Sequence, residues 1–303
     1  MTKETAAQEA TPKDLVDFPG NSQSEVLVNQ SEFGQFHRIE QMLGLERVER
    51  LHRSYVVVAG CGAVGGFALE ALARAGVGKF RLIDCDVVKP SNINRQILAS
   101  WDTVETKKVE AAAQRVRAIY PACEVETMDI LINAESLPKV FDFPDRKPDL
   151  LIDAIDSLAP KVELLARTLE LSIPVISSMG AALRTDPSQV RFGRLTDVTH
   201  CRLSAMLRKR IRRKGVNTDN IPCVYSTEPV REIQKTGQRN SLGGGGEPCG
   251  AILPPEFSED DKRLHGRRRS TLGSLPTLTG IFGLIVAHEA IRMLADGSEE
   301  HGA

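Results

Sequence analysis

An α/β fold, in which helices flank a mixed sheet whose first half is parallel, is predicted by three features of this sequence. Residues 55–59, Y-V-V-V-A, form a continuous apolar run that leads directly into a glycine turn at Gly60, Gly62 and Gly65. Short apolar runs then alternate with longer stretches of helical period, the pattern of strand-helix-strand units. Acidic residues stand just beyond two of those runs, Asp84 after residues 80–83 and Asp156 after residues 150–155. That is where open parallel sheets place ligand-binding groups.

Taken in order, residues 1–30 are rich in Thr, Ser, Glu, Gln and Asn without sustained periodicity and read as a flexible tail before one domain over 31–303. Ile39, Met42, Leu43 and Leu45 suggest a short helix closed by Gly44, and a second helix is expected around residues 48–51. Strand 55–59, helix 67–75 and strand 80–83 make the first parallel unit. A helix is expected over 104–119, where Val109, Ala112, Ala113, Val116 and Ile119 share one face. Strands follow near 124–129 and at 150–155, then a helix opened by Pro160 and running to Glu170, then a strand at 173–178. Further strands are expected at 190–195 and 223–226, on either side of a basic helix over 202–214. Residues 235–270 hold four consecutive glycines, several prolines and a second basic cluster at 267–269, which reads as a mobile loop or insertion. A last helix over about 278–294 closes the domain.

With 303 residues, 41% of them hydrophobic and 26% charged, the chain can bury a full core. The opening M-T-K-E-T-A-A-Q-E-A lacks the apolar stretch of a secretory signal, so a cytoplasmic protein is expected. Residues 275–287 are apolar but carry Thr277, Thr279 and two glycines and stop at His288, too short and too polar to span a bilayer. No membrane partner is expected. The six cysteines never fall as Cys-x-x-Cys, which argues against a zinc knuckle or a disulfide framework. A net charge of −1 excludes no partner, because Arg208, Lys209, Arg210, Arg212, Arg213 and Lys214 form one dense basic run. Six cations in seven residues repel one another unless an anionic partner is near, and RNA phosphate is the anion such a helix suits.

The chemistry gathers around the glycine turn. Gly60 permits a tight strand-to-helix turn, Gly62 lets backbone approach a phosphate, and Gly65 lets the helix close on the sheet with its first N–H groups facing an anion. Asp84, about twenty residues on, is placed to accept from ribose hydroxyls. Asp86 competes for that role, and whichever acid does not touch ribose is expected to cap the loop. A dinucleotide site needs no more, yet Arg95 stands in the polar loop 91–96 over the same crevice. Lys108, with Lys107 as its alternative, stands in the first turn of the next helix. Two cations there would stabilise charge that develops in phosphoryl or nucleotidyl transfer. Asp156 is placed to hold Mg²⁺ on phosphates or else to cap the following helix, whereas Asp153, inside the strand, reads as structural.

In this order, G-C-G-A-V-G, D-C-D, S-N-I-N-R-Q, T-K-K-V-E and D-A-I-D-S resemble the motifs of the ubiquitin-activating-enzyme-like adenylyltransferases, which include enzymes of the thiamine and molybdopterin pathways. The resemblance covers Phe33 to about Gly180 and implies a Rossmann-like, ThiF-type fold with a parallel nucleotide-binding half, using ATP and Mg²⁺. It implies that Asp84 binds ribose, that Asn92, Arg95 and Lys108 contact the triphosphate, and that Asp156 serves Mg²⁺. Arg38, in Q-F-H-R, matches an arginine that the family inserts into its partner subunit's site, which implies a homodimer; Gln35 stands where arginine is more usual. The segment I-P-V-I-S-S-M-G-A-A-L-R-T-D-P-S-Q-V, the basic helix and C-V-Y-S-T-E-P are similar to the tRNA threonylcarbamoyladenosine dehydratase branch and extend the resemblance to about Pro229 and over the last helix. That branch implies ATP-dependent activation of the threonyl carboxylate on a modified adenosine beside the anticodon of tRNA, then ring closure from within the modification with release of AMP. Ring closure is intramolecular, so proximity supplies much of the rate and no protein thiol need carry the acyl group. Cys201 and Cys223 show no activating helix N-terminus in the sequence and read as inert. Two other readings remain: activation of a Gly-Gly-ended sulfur carrier, with a sulfur-transfer protein as partner, which the missing Cys-x-x-Cys pairs argue against, and a non-catalytic NAD-binding module.

Overall fold

A computed structural model describes residues 34–219, 221–230 and 272–297. The expected tail over 1–30 and the expected loop over 235–270, with its second basic cluster, lie outside the described residues. Among the described residues a single seven-stranded sheet forms the centre: β1 (Tyr55–Ala59), β2 (Lys79–Ile83), β3 (Glu124–Met128), β4 (Leu150–Asp153), β5 (Val175–Ser178), β6 (Val190–Arg194) and β7 (Pro222–Ser226). Their order across the sheet is β3-β2-β1-β4-β5-β7-β6. Every neighbouring pair is parallel except β6 with β7, so the sheet is mixed, as expected. The order runs outward from β1 in both directions, and that reversal opens a crevice at the carboxyl ends of β1 and β4.

The residues of β1 alternate between two cores. Val56 and Val58 face the layer of α3 (Gly65–Arg74), α4 (Lys108–Ile119) and α8 (Pro276–Asp296), while Val57 and Ala59 face α5 (Leu137–Val140), α6 (Leu158–Glu170) and α7 (Arg202–Arg213). Burial on both faces explains why these strands read as uninterrupted apolar runs. α8 has 21 residues, and by length and composition alone it is apolar enough to cross a membrane. It packs on α3 and the sheet instead, burying Leu278, Phe282, Val286 and Ala290, as the reading of a buried helix anticipates. Gly283 permits that approach, since any side chain there would overlap the Val64 carbonyl.

Several boundaries shift for local reasons. The helix expected from Val104 begins only at Lys108, because Glu105 takes a left-handed conformation (φ 70°) and Val88 exchanges backbone hydrogen bonds with Glu105 and Thr106. The strand expected to run to Ile155 ends at Asp153, and α6 opens at Leu158 with Ser157 as its N-cap residue and Pro160 inside its first turn. Two short helices, α1 (His37–Leu43) and α2 (Leu45–Arg53), precede β1 and meet at Gly44, whose φ of 85° suits glycine.

Candidate active site

The glycine turn is a product of crowding on one side and space on the other. Gly60 has φ 95°, and a Cβ there would lie 2.9 Å from the Ala154 carbonyl carbon and oxygen; a Cβ on Gly65 would overlap the Gly60 carbonyl. Gly62 differs, since the nearest atom to a Cβ there is Gln96 Nε2 at 4.0 Å. The turn is therefore tight where β1 meets α3 and open where a ligand's phosphate would approach the N-terminus of α3. Gln96, buried in the crossover loop that links β2 to α4 (residues 84–107), lies nearest across that opening.

Asp84 follows the last residue of β2, and its carboxylate accepts from Cys61 N–H at 2.8 Å and Asp86 N–H at 2.9 Å. It braces the glycine turn and its own loop, the role expected of the acid that does not touch ribose, while each carboxylate oxygen keeps a lone pair for a further donor. Burial raises its pKa, an effect that the Lys108 ammonium opposes. Asp86 accepts from Lys108 Nζ at 2.6 Å. Lys108 is the first residue of α4, 7% exposed, and reaches back into the crevice. Its burial would lower its pKa, but the carboxylates of Asp84, Asp86 and Asp156 more than offset this and hold it above the ordinary lysine value. Lys107 turns outward, to Asp129 at 2.6 Å. The crevice thus contains one charged, desolvated ammonium, held by acids.

The crossover loop is built by its own side chains. Asn92 Oδ1 accepts from Lys89 N–H at 3.0 Å, and the Asn92 carbonyl accepts from Arg95 and Gln96 N–H groups. Arg95 folds its guanidinium onto the Ser91 carbonyl at 2.8 Å and Asn94 Oδ1 at 3.0 Å. Asp156 is exposed three residues beyond β4, and accepts from Ser157 Oγ at 3.2 Å. One exposed carboxylate facing a phosphate site suits Mg²⁺, which typically takes one or two carboxylates together with phosphate and water oxygens. Asp84, Cys85 and Asp86 also cluster closely enough to surround an ion. Their carboxylates, however, already accept from two N–H groups and from Lys108, whose charge opposes a second cation.

Beneath the crevice lies a network that sequence reading glimpsed only through Asp153. Asp153 and Lys161 are both fully buried and paired at 2.7 Å, with Ser177 Oγ on the same carboxylate at 2.7 Å. Lys161 Nζ also donates to the Ile155 carbonyl at 3.0 Å. The pair fixes the 154–156 segment that Gly60 touches and that carries Asp156. A lysine in an otherwise apolar helix face, eight residues after a strand aspartate, was the available signal. Arg38 lies elsewhere: Gln35 Nε2 donates to the Ile119 carbonyl and Phe36 packs on Tyr120 and His52, so the start of α1 is fastened to the carboxyl end of α4. Lys108 opens the other end, about 16 Å away for eleven helical steps.

A model of the ThiF family matches residues 36–302. The chain belongs to the ThiF family. It is similar to the tRNA threonylcarbamoyladenosine dehydratase of Bacillus subtilis, 37% identical over 221 residues that make up 73% of this chain and 85% of that one. Among solved structures, the Escherichia coli tRNA N6-threonylcarbamoyladenosine dehydratase, TcdA, in complex with AMP superposes with a TM-score of 0.72 at 28% identity, covering 89% of this chain and 98% of that chain. Its complex with ATP gives 0.71 at 28%, covering 91% and 100%. A sulfur carrier protein adenylyltransferase of Thermus thermophilus is 31% identical over a smaller part, 48% of this chain and 53% of that one.

In this ThiF-family chain the basic run behaves differently from its sequence expectation. α7 buries Ser204, Leu207 and Ile211. Arg208 lies half-buried and donates to the Leu195 and Val198 carbonyls at 2.6 and 3.2 Å, a prop within the fold. Lys214 pairs with Glu163 at 2.9 Å and Arg212 with Asp219 at 3.5 Å. Mutual repulsion of six cations is therefore relieved internally for three of them, and Lys209, Arg210 and Arg213 are exposed with no ion pair among the described residues. The cysteines divide as well. Cys223 is buried in β7, which pushes its thiol up to about 12. Cys201, contrary to expectation, does occupy a helix N-terminus: it is the N-cap residue of α7, and its Sγ accepts from Ser204 N–H at 3.5 Å.

Proposed function

We propose that this chain is an ATP-dependent tRNA-modifying dehydratase that adenylates the threonyl carboxylate of threonylcarbamoyladenosine beside the anticodon and closes it into a ring. The observation that carries this reading is the buried Lys108 ammonium, aimed by Asp86 into the crevice below an open glycine turn. Nucleotide-binding α/β sheets without phosphate chemistry have no use for a desolvated cation at that point.

The residues then divide the work. The N–H groups at the start of α3 and the open backbone at Gly62 receive a phosphate, and Asp84 accepts from ribose through lone pairs its two N–H donors leave unused. Lys108 passes from Asp86 to the triphosphate, while Arg95 and Asn92 close over it from the crossover loop, so that positive charge meets the anion building in the transition state. Asp156 would hold Mg²⁺ there, and the ion would supply further positive charge to the phosphates. The substrate carboxylate attacks the α-phosphorus, the bond to the β-phosphate bridge breaks and pyrophosphate leaves. A nucleophile of the same modification then attacks the acyl carbon and AMP departs, a step for which proximity suffices. Lys209, Arg210 and Arg213 hold tRNA phosphates, and a cytoplasmic location is proposed along with that substrate.

Incubation with ATP, Mg²⁺ and tRNA bearing threonylcarbamoyladenosine is expected to yield AMP and a nucleoside lighter by one water. Unchanged nucleoside mass with intact ATP sinks the reading. ATP–pyrophosphate exchange that ignores tRNA but requires a Gly-Gly-ended protein selects the sulfur-carrier alternative. Because Arg38 and Lys108 sit at opposite ends of α4, Arg38 is proposed to serve a partner copy's site in a homodimer. Mixing an Arg38→Ala variant with a Lys108→Ala variant restores one working site per dimer, and no recovery of activity refutes the sharing.

A further inference from the structure

Arg184 is the most deeply covered arginine in the chain's described residues, 2% exposed, and most of its hydrogen-bonding capacity is unused. Nη2 donates to the His200 carbonyl at 2.7 Å, whereas Nε and Nη1 are enclosed and have no partner. A buried donor left unpaired costs about 1–3 kcal/mol, more when the group is charged. Glu228 is near but committed, since it accepts from Thr185 N–H, Thr185 Oγ1 and Asp186 N–H at 2.9, 2.8 and 3.0 Å. Both segments that present the guanidinium are left-handed at non-glycine residues, Leu183 (φ 61°) and His200 (φ 51°). The Leu183 bend is fixed by its N–H donating to the Gly273 carbonyl at 2.9 Å.

The position completes the argument. Arg184 belongs to the loop that leaves the carboxyl end of β5, and β5 lies beside β4, with Asp153 opposite Ser177. Parallel strands are about 4.8 Å apart, so this loop shares the sheet edge that carries the nucleotide crevice, on the side where α7 begins. His200, whose carbonyl Arg184 holds, immediately precedes Cys201, the N-cap of the twelve-residue α7, whose dipole also favours an anion.

We propose that the free edge of Arg184 and the N-terminus of α7 form the subsite that binds the carboxylate of the acceptor before it is adenylated. Four of its five N–H hydrogens are uncommitted, and the one left on Nη2 makes, with its neighbour on Nε or on Nη1, a fork that matches the two oxygens of one carboxylate; a phosphate, with more oxygens and more charge, would stay undersatisfied in an enclosed place. Enclosure of the guanidinium excludes water from the pair and strengthens it. Once the carboxylate oxygen has bonded to the α-phosphorus its charge is gone, so Arg184 releases the group for ring closure. Assigning that carboxylate to a threonyl group rests on the function proposed above.

The full-length protein, saturated with a non-hydrolysable ATP analogue, is titrated with N-carbamoyl-L-threonine and with its methyl ester, binding being followed by calorimetry or NMR. The acid is expected to bind more tightly than the ester, and Arg184→Gln to weaken acid binding about 10- to 100-fold, the scale of a charge-assisted hydrogen bond, with ester binding unchanged. With modified tRNA the variant is expected to show a raised KM for tRNA and an unaltered KM for ATP. Arg184→Lys keeps the charge with fewer donors and is expected to fall between, which serves if the glutamine variant does not fold. Equal binding of acid and ester, binding of neither, or an Arg184→Gln protein that still selects the acid overturns the subsite. Acid selection through Arg184 in a protein that dehydrates no tRNA would leave the subsite standing and remove the threonyl assignment.

Discussion

The two halves of the sheet edge treat polar groups in opposite ways. Around the nucleotide crevice every buried charge is compensated: Lys108 by Asp86, Asp153 by Lys161 and Ser177, and Asp84 by two backbone N–H groups. Beyond β5, Arg184 keeps two nitrogens unpaired and the backbone turns left-handed at Leu183 and His200. The first half pairs its buried charges before any ligand arrives, and the second leaves buried donors that a ligand would satisfy. Preorganisation for nucleotide chemistry and selectivity for an acceptor are thus assigned to different strands of one sheet.

The sharpest way to break the comparison is to remove one partner of the buried frame. Lys161→Met leaves Asp153 charged and unpaired in the core and is expected to cost about 3–5 kcal/mol in denaturant melts, whereas the double variant with Asp153→Leu recovers most of it. A single variant as stable as the parent would show that the frame is not held by this pair. Next in size, Lys108→Ala is expected to lower the rate of AMP formation about 10²–10³-fold, the usual effect of deleting one transition-state donor. Far-ultraviolet circular dichroism should be unchanged, and a rate within tenfold of the parent would remove Lys108 from the chemistry.

The basic helix separates structural from ligand-directed charge in a gentler way. Replacing Lys209, Arg210 and Arg213 together by alanine is expected to reduce the salt dependence of tRNA binding by about 0.7–0.9 per lost phosphate contact, with little change in melting temperature. Arg208→Ala should do the reverse, lowering stability with a smaller effect on the salt slope, because it props two carbonyls. The smallest effect concerns pH. Glu70 is desolvated, which raises its pKa, but Arg115 and Arg74 overcome this and hold it below the usual 4.5. Its folded value is depressed, so its contribution is present above about pH 4.5 and is lost as pH falls through the folded value. Glu70→Gln should flatten that acid limb of the stability curve, and an unchanged limb would reject the assignment.

Much of the nucleotide half was legible in the sequence because its requirements are local. Gly60 is required by its positive φ and Gly65 by the Gly60 carbonyl within the same turn, even though Ala154 adds crowding from β4's end, and Asp84 and Asp156 follow strands whose apolar runs are unmistakable. Lys108 was legible within the first turn of a helix, although its place as the first helical residue depends on Glu105 breaking the expected helix and on the tie between Val88 and Thr106. The basic run shows the converse. Its charge was plain, yet which cations are free depends on carbonyls at Leu195 and Val198 and on Glu163 and Asp219, which only the folded chain brings near.

Order along the chain and the period of apolar residues determined the class of fold, the position of the phosphate turn and the residue types that surround it, since backbone conformation and strand burial are set by neighbours in sequence. Tertiary structure decided which charges are spent and which are available. Lys161 was a lysine on a helix until β4 and β5 enclosed it with Asp153, and Arg184 was one arginine among many until the fold covered it and left two of its nitrogens without partners. Desolvation and pairing are properties of the space around a side chain, and that space is assembled from segments far apart in the sequence.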